Sequence, residues 1–206
     1  IPSLHFTKEK MKMRKVIVSF LLAAAVMAIP SALSAQTKIR LAHVVNEKDG
    51  FHIAAMKFQE LVESGSSGKI RIELFPNATL GDERTLLEGM QIGTIDMGVI
   101  TNGPVANFLP EMAVFELPFL FANRKQAYAV LDGPIGKELL KKLETVNLIG
   151  LAYAERGFRN LTNSKHEVKS PADMKGLKVR VMENPVYIDT FKTLGPTPCP
   201  WPGPRR

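Results

Sequence analysis

The chain has 206 residues, 45% hydrophobic and 23% charged, an ordinary globular composition with enough apolar side chain for a sizeable core. Its formal charge of +7 does not mark a nucleic-acid binder. Residues 1–35 hold Lys8, Lys10, Lys12, Arg14 and Lys15 against Glu9, and Arg205 and Arg206 close the chain; the stretch between has no basic block or basic stripe with interleaved aromatics. The single cysteine, Cys199, excludes an internal disulfide and a cysteine-based zinc site and is compatible with either redox compartment.

Met11 or Met13 opens a basic segment (Lys12, Arg14, Lys15), followed by an apolar run from Val16 to Ile29, the breaker Pro30 and the small residues Ser31 to Ala35. This is the three-part pattern of a secretory signal peptide. The run of about 14 residues is short of the ~20 that a spanning helix needs. Residues 11–35 are therefore expected to be a signal peptide, cleaved after Ala35 or Ser34, with residues 1–10 an upstream segment outside the fold. The alternative is an uncleaved anchor.

From Lys38 two periods alternate. Ile39, Leu41 and His43 alternate with polar positions and predict a strand; residues 50–64 place Phe51, Ala54, Ala55, Phe58, Leu61 and Val62 on one helical face. Ser64 to Gly68 end that helix. Lys69–Phe75 predicts a second strand, Pro76-Asn77 a turn, Asp82 the N-cap of a second helix through Met90, and Thr94–Thr101 a third strand. This β-α-β-α-β order predicts a parallel α/β sheet. Residues 104–121, with three prolines, predict a loop and a short helix. Two helices follow, at about 123–131 and 135–146, then extended segments at Asn147–Ala154 and Phe158–Thr162. Ser170-Pro171-Ala172-Asp173 predicts a helix start, Lys178–Met182 a strand and 185–194 a helix. Five prolines among residues 195–206 predict a non-helical, polyproline-like tail.

Catalytic constellations do not emerge. His43, His52 and His166 lack metal-ligand spacing and read as a strand-end residue, a helix-surface residue and a loop residue. No nucleophile elbow and no glycine-rich phosphate cradle occurs, so neither a metal nor a cofactor is expected. Two arginines stand out. Arg180 interrupts the apolar alternation of Val179 and Val181, and its planar fork of donors suits a carboxylate; Arg159 lies between Phe158 and Asn160. A surface salt bridge is the competing role for each. Gly81-Asp82-Glu83-Arg84 opens a helix, Asp82 as its cap and Glu83 open to a ligand role.

Phe75-Pro76-Asn77-Ala78-Thr79-Leu80-Gly81-Asp82-Glu83-Arg84, followed by Gly93-Thr94-Ile95-Asp96-Met97, resembles the first lobe of DctP-like receptors of tripartite ATP-independent periplasmic (TRAP) transporters. Arg159-Asn160-Leu161-Thr162-Asn163 and Pro171 to Val181 resemble the start of that family's second lobe. The resemblance runs from about Lys38 to Gly195. It implies a type II periplasmic-binding-protein-like α/β fold of two lobes: lobe 1 over 36–156, the start of lobe 2 over 157–195, and an aberrant tail over 196–206. It further implies capture of a small carboxylate, a C4-dicarboxylate or a sugar acid, in the periplasm for membrane permease subunits. Arg180 takes the position of the family's carboxylate clamp, Arg159 that of a second arginine near the ligand, and Glu83 and His43 those of weaker first-lobe contacts. The family pattern continues after Thr-Leu-Gly with more chain than is present here, which leads to the expectation of truncation or a frame shift near the C-terminus. The competing readings are a non-functional fragment of such a receptor and a periplasmic α/β enzyme.

Overall fold

The structure is a computed structural model and describes residues 36–201. The predicted signal peptide and residues 202–206 lie outside the described residues. No described helix is long and apolar enough to cross a membrane.

Strands β1 (Thr37–His43), β2 (Ile70–Phe75) and β3 (Met97–Val99) form a parallel sheet in the order β2-β1-β3. Helix α1 (Gly50–Gly65) connects β1 to β2, and α2 (Glu83–Gln91) connects β2 to β3. The register sets Leu41 opposite both Leu74 and Met97. As the central strand, β1 is covered on both faces, so its last three residues are all buried. The twofold period decides which way each points. Leu41 packs with Ala55 of α1 and Ile72, whereas Ala42 packs with Leu86 of α2 and Ile95.

Helix α1 corrects the predicted face. Its buried residues are His52 and Ala55, while Ala54, Phe58 and Leu61 are exposed. The helix is turned about one residue because polar side chains on its inner side serve the sheet edge. Gln59 Nε2 donates to the Ile72 carbonyl at 2.7 Å, and Glu63 Oε1 accepts from the Ile72 amide at 3.0 Å. These bonds satisfy outward-facing backbone groups of the edge strand β2 and blunt it against further pairing.

The predicted loop and short helix become α3 (Asn102–Val105) and a 3-10 segment, Pro110–Glu116. Helices α4 (Arg124–Leu131) and α5 (Pro134–Lys142) follow, with α5 running into a 3-10 turn, Leu143–Val146. They lie near a second core in which Leu87, Val105, Leu109, Met112, Leu139 and Leu143 are buried together. Residues 149–169 carry neither helix nor strand, so the two extended segments join no ladder among the described residues. Ser170 and Asp173 form a reciprocal capping box, but only one 3-10 turn follows, Pro171–Met174.

A second sheet pairs β4 (Lys178–Val181) in parallel with β5 (Thr197–Pro200), joined by α6 (Pro185–Leu194). Strand β5 corrects the polyproline-like reading of the tail as far as Trp201. Its prolines alternate with residues that keep their amides. Thr197 donates to the Leu177 carbonyl at 2.7 Å and Trp201 to the Val181 carbonyl at 3.1 Å. Pro198 and Pro200 fall at the intervening positions of an edge strand, where no donor is required. Gly195 ends α6 at φ 105°, a left-handed turn that glycine adopts without strain.

Candidate ligand-binding site

The cleft of interest gathers the ends of several elements. Glu83 and Arg84 come from the start of α2, and Pro104 and Asn107 from α3 and the residues after it. Arg180, Met182 and Glu183 come from the end of β4, and Trp201 from the residue after β5. It lies at the carboxyl ends of parallel strands, where α/β folds open crevices. Two contacts lock β4 and α6 against α3. Asn184, fully buried, donates from Nδ2 to the Gly103 carbonyl at 3.0 Å and caps α6 by accepting from the Val186 amide at 2.8 Å. Asn107 Nδ2 donates to the Glu183 carbonyl at 2.7 Å. Gly103 permits this approach, because a Cβ there would stand 2.9 Å from the Met182 methyl.

Of the four residues singled out from the sequence, Arg180 and Glu83 line the cleft. One Nη of Arg180 donates to the Trp201 carbonyl at 2.8 Å. Arg159 stands beside it, donating Nε to the Tyr187 hydroxyl at 2.9 Å and Nη2 to the Met182 sulfur at 3.0 Å. Burial, then the charge of Arg159, pulls the Arg180 guanidinium below its usual range, and the Glu83 carboxylate opposes them.

Four other described arginines are matched: Arg40 with Asp96, Arg84 with Glu88, Arg124 with Glu155 and Arg156 with Asp49. Among the described residues Arg159 and Arg180 form no such ion pair, although they are close enough to repel each other. Arg71, on the edge strand β2, also lacks one, and all three are exposed; what sets Arg159 and Arg180 apart is that the charge of one bears on the other. Two neighbouring guanidiniums, one of them partly desolvated, form an electrostatic demand for an anion.

Arg159 is on an irregular segment, yet that segment is tied down. Tyr153 hydrogen-bonds the Gly136 carbonyl at 2.9 Å, Glu155 pairs with Arg124 at 2.7 Å, and Arg156 pairs with Asp49, the N-cap of α1, at 2.9 Å. Glu83 is buried at 5% exposure, and both its oxygens are occupied by Thr101: the amide at 2.7 Å and the hydroxyl at 2.6 Å. It braces the end of β3 while presenting its charge to Arg180.

His43 lies away from the lining residues. It points with Leu41 toward α1, is 1% exposed, and sits with Nε2 3.0 Å from His52 Nδ1. His52 is therefore a buried partner, correcting its expected place on the helix surface. Its spacing of three from Ala55 was the available signal. Burial first, and then the neighbouring His52, lowers the His43 pKa below its usual value. No group of three or more His, Cys, Asp or Glu among the described residues could hold a metal.

Sequence reasoning missed Asn184, Asn107, Tyr187 and Trp201. The Asn184-Pro185 pair was a readable helix start; the others depend on tertiary neighbours that no local pattern specifies.

Residues 41–204 match the family described as bacterial extracellular solute-binding protein, family 7 (DctP). The chain belongs to this family. It is 38% identical over 192 residues to the 2,3-diketo-L-gulonate-binding periplasmic protein YiaO of Escherichia coli, covering 93% of this chain and 58% of YiaO. The sugar acid binding protein DctPAm of Advenella mimigardefordensis, solved with galactonate, superposes with TM-score 0.78 and 42% identity over 80% of this chain and 53% of that one. A TRAP periplasmic solute-binding protein of Polaromonas sp. JS666, bound to D-erythronate, gives 0.78 and 40%, over 81% and 55%. The chain thus spans somewhat over half the length of these relatives. The TRAP resemblance and the type II periplasmic-binding-protein-like α/β architecture are both supported by these matches. The relatives are binding proteins, and family members are periplasmic.

Proposed function

We propose that this chain carries the anion-capturing part of a periplasmic receptor for a small sugar acid, with Arg180 as the carboxylate clamp and Arg159 as its second arginine. The carrying observation is the pair itself: two adjacent guanidiniums at the end of β4 without a carboxylate partner among the described residues, one lining the cleft. A planar guanidinium binds a carboxylate through two parallel hydrogen bonds, and a ligand carboxylate would relieve the repulsion between the two arginines. Glu83 acts as a brace whose charge orients Arg180, and His43 supports the strand end from behind.

Sugar acids are favoured over C4-dicarboxylates because the relatives above bind diketogulonate, galactonate and erythronate. The role is capture without turnover and without a cofactor, after export through residues 11–35 and before delivery to membrane permease subunits of a TRAP transporter. Isothermal titration with galactonate, erythronate, glucuronate and succinate tests it. Arg180→Ala should weaken binding of the preferred acid by about 2–5 kcal/mol, the cost of breaking a desolvated charged pair. Unchanged affinity in that variant would sink the clamp assignment. The exposure of Ile149 and Leu151, at 78% and 68%, favours a second reading in which this stretch does not bind by itself. A thermal melt without a cooperative transition would support that reading.

A further inference from the structure

Behind Arg159 runs a directed chain of hydrogen bonds joining four parts of the polypeptide. Arg159 Nε donates to the Tyr187 hydroxyl on α6 at 2.9 Å, and its guanidinium carbon lies 5.3 Å from the centre of the Tyr187 ring. The Tyr187 hydroxyl donates to Glu116 Oε2, at the end of the 3-10 segment. Glu116 Oε1 accepts from Asn102 Nδ2 on α3 at 2.7 Å, and the same amide also donates to the Met112 carbonyl at 2.9 Å. Chemistry fixes the direction. A guanidinium only donates and an ionised carboxylate only accepts, so the tyrosine must accept from Arg159 and pass its own proton toward Glu116.

With Nε held by Tyr187 and Nη2 by the Met182 sulfur, Nη1 of Arg159 has no partner among the described residues. The guanidinium is thereby held on one edge and left open on the other, as a ligand-binding group should be. Like Arg159 itself, Tyr187 and Glu116 are not among the residues lining the cleft. Tyr187 bonds the Nε edge of Arg159 and Glu116 reaches the guanidinium through Tyr187, so their effect on capture passes through Arg159.

We propose that Tyr187 and Glu116 are positioning residues for Arg159, the ionised Glu116 carboxylate orienting the Tyr187 hydroxyl and the hydroxyl orienting the guanidinium, so that anion capture weakens when the hydroxyl is removed or Glu116 is protonated. Its effect on capture rests on the arginine-anchor reading above; the hydrogen-bond relay can be tested without a ligand. Burial raises the Glu116 pKa above its ordinary value, opposed by the Asn102 hydrogen bond and the charge of Arg159. Helix α3 brings no titratable side chain to it. Helix α6 brings Tyr187, while Asp189 and Lys192 of that helix pair with each other at 3.8 Å on the exposed side. As pH falls through the raised Glu116 value, the carboxyl gains a proton, the tyrosine loses its charged acceptor, and the hold on Nε slackens.

The test follows the Arg159 Nε–H signal by nitrogen-15 NMR in the full chain, with galactonate calorimetry alongside. In the unsubstituted chain the signal should titrate with a midpoint above that of an ordinary glutamate. Glu116→Gln, close to isosteric, should abolish that titration, and Tyr187→Phe should remove the slow solvent exchange of the proton. Tyr187→Phe should weaken galactonate binding about tenfold, the usual worth of a hydrogen bond to a charged group. Glu116→Gln should flatten the pH dependence of affinity. An Nε–H signal indifferent to pH and to both substitutions overturns the relay; so does unchanged affinity in Tyr187→Phe where Arg159→Ala abolishes binding. No binding of any acid by a chain whose Nε–H signal still titrates with Glu116 overturns the anchor reading and upholds the relay. If Tyr187→Phe fails to fold, the pH titration of the unsubstituted chain still decides.

Discussion

The two sheets among the described residues use the same parallel pairing for different ends. In β2-β1-β3 the central strand is buried on both faces, the edge amide and carbonyl of Ile72 are capped by α1, and Arg40 is matched by Asp96. In β4-β5 two strands pair among the described residues, Arg180 of the first strand lines the cleft, and its anchoring bonds come from single side chains such as Asn184. The first sheet has its edge backbone and Arg40 matched from within; the second leaves guanidinium capacity open for an outside partner. A binding site of this kind needs both, a scaffold that does not give way and an edge whose electrostatics are incomplete without an anion.

That contrast can be broken from the scaffold side first. Leu86 is completely buried between Ala42 and Ile95, so Leu86→Ala should cost about 2–5 kcal/mol in urea unfolding, through lost burial and the cavity left behind. A loss under 1 kcal/mol would show that the first sheet is not the rigid partner described here. On the other side, Asn184→Ala removes a helix cap and orphans the buried Gly103 carbonyl, at a cost of about 1–3 kcal/mol. The scaffold prediction is the larger because a hydrocarbon core cannot recruit water, whereas a carbonyl near a cleft can.

The first sheet was legible because its signals are local. Alternation at Ile39, Leu41 and His43, the Asp82 cap and the helical spacing of Leu86, Leu87 and Met90 each point the same way. The face of α1 was misplaced because Gln59 and Glu63, which the apolar spacing leaves out, turn inward to bond a strand edge that no local window contains. The tail was misread by composition: prolines counted together suggest polyproline, while prolines taken at alternate positions fit an edge strand whose amides at Thr197 and Trp201 face β4. At the site, Arg180 was found because it interrupts an apolar strand. Tyr187 and Glu116 lie 71 residues apart and meet only through the packing of α6 on the 3-10 segment, so their pairing had no sequence signature.

The smallest effect concerns the seam between β1 and α1, where two histidines replace the hydrocarbon that a scaffold would be expected to hold. His43 is held below its ordinary pKa by burial and then by His52, so the folded state binds its proton less readily than the unfolded chain does. Its contribution is complete above the unfolded value, near 6.5, and is lost as pH falls from there through the depressed folded value. Glu116 acts with the opposite sign, since its raised pKa makes protonation favour the folded state as pH falls toward the ordinary carboxyl range. The His43 share is isolated by difference: subtracting the urea-unfolding pH profile of His43→Gln from that of the unsubstituted chain should leave a decline on the acid side of 6.5. A flat difference would mean that the pair accommodates a proton through solvent, and that this seam of the first sheet is more open than the burial of His43 indicates.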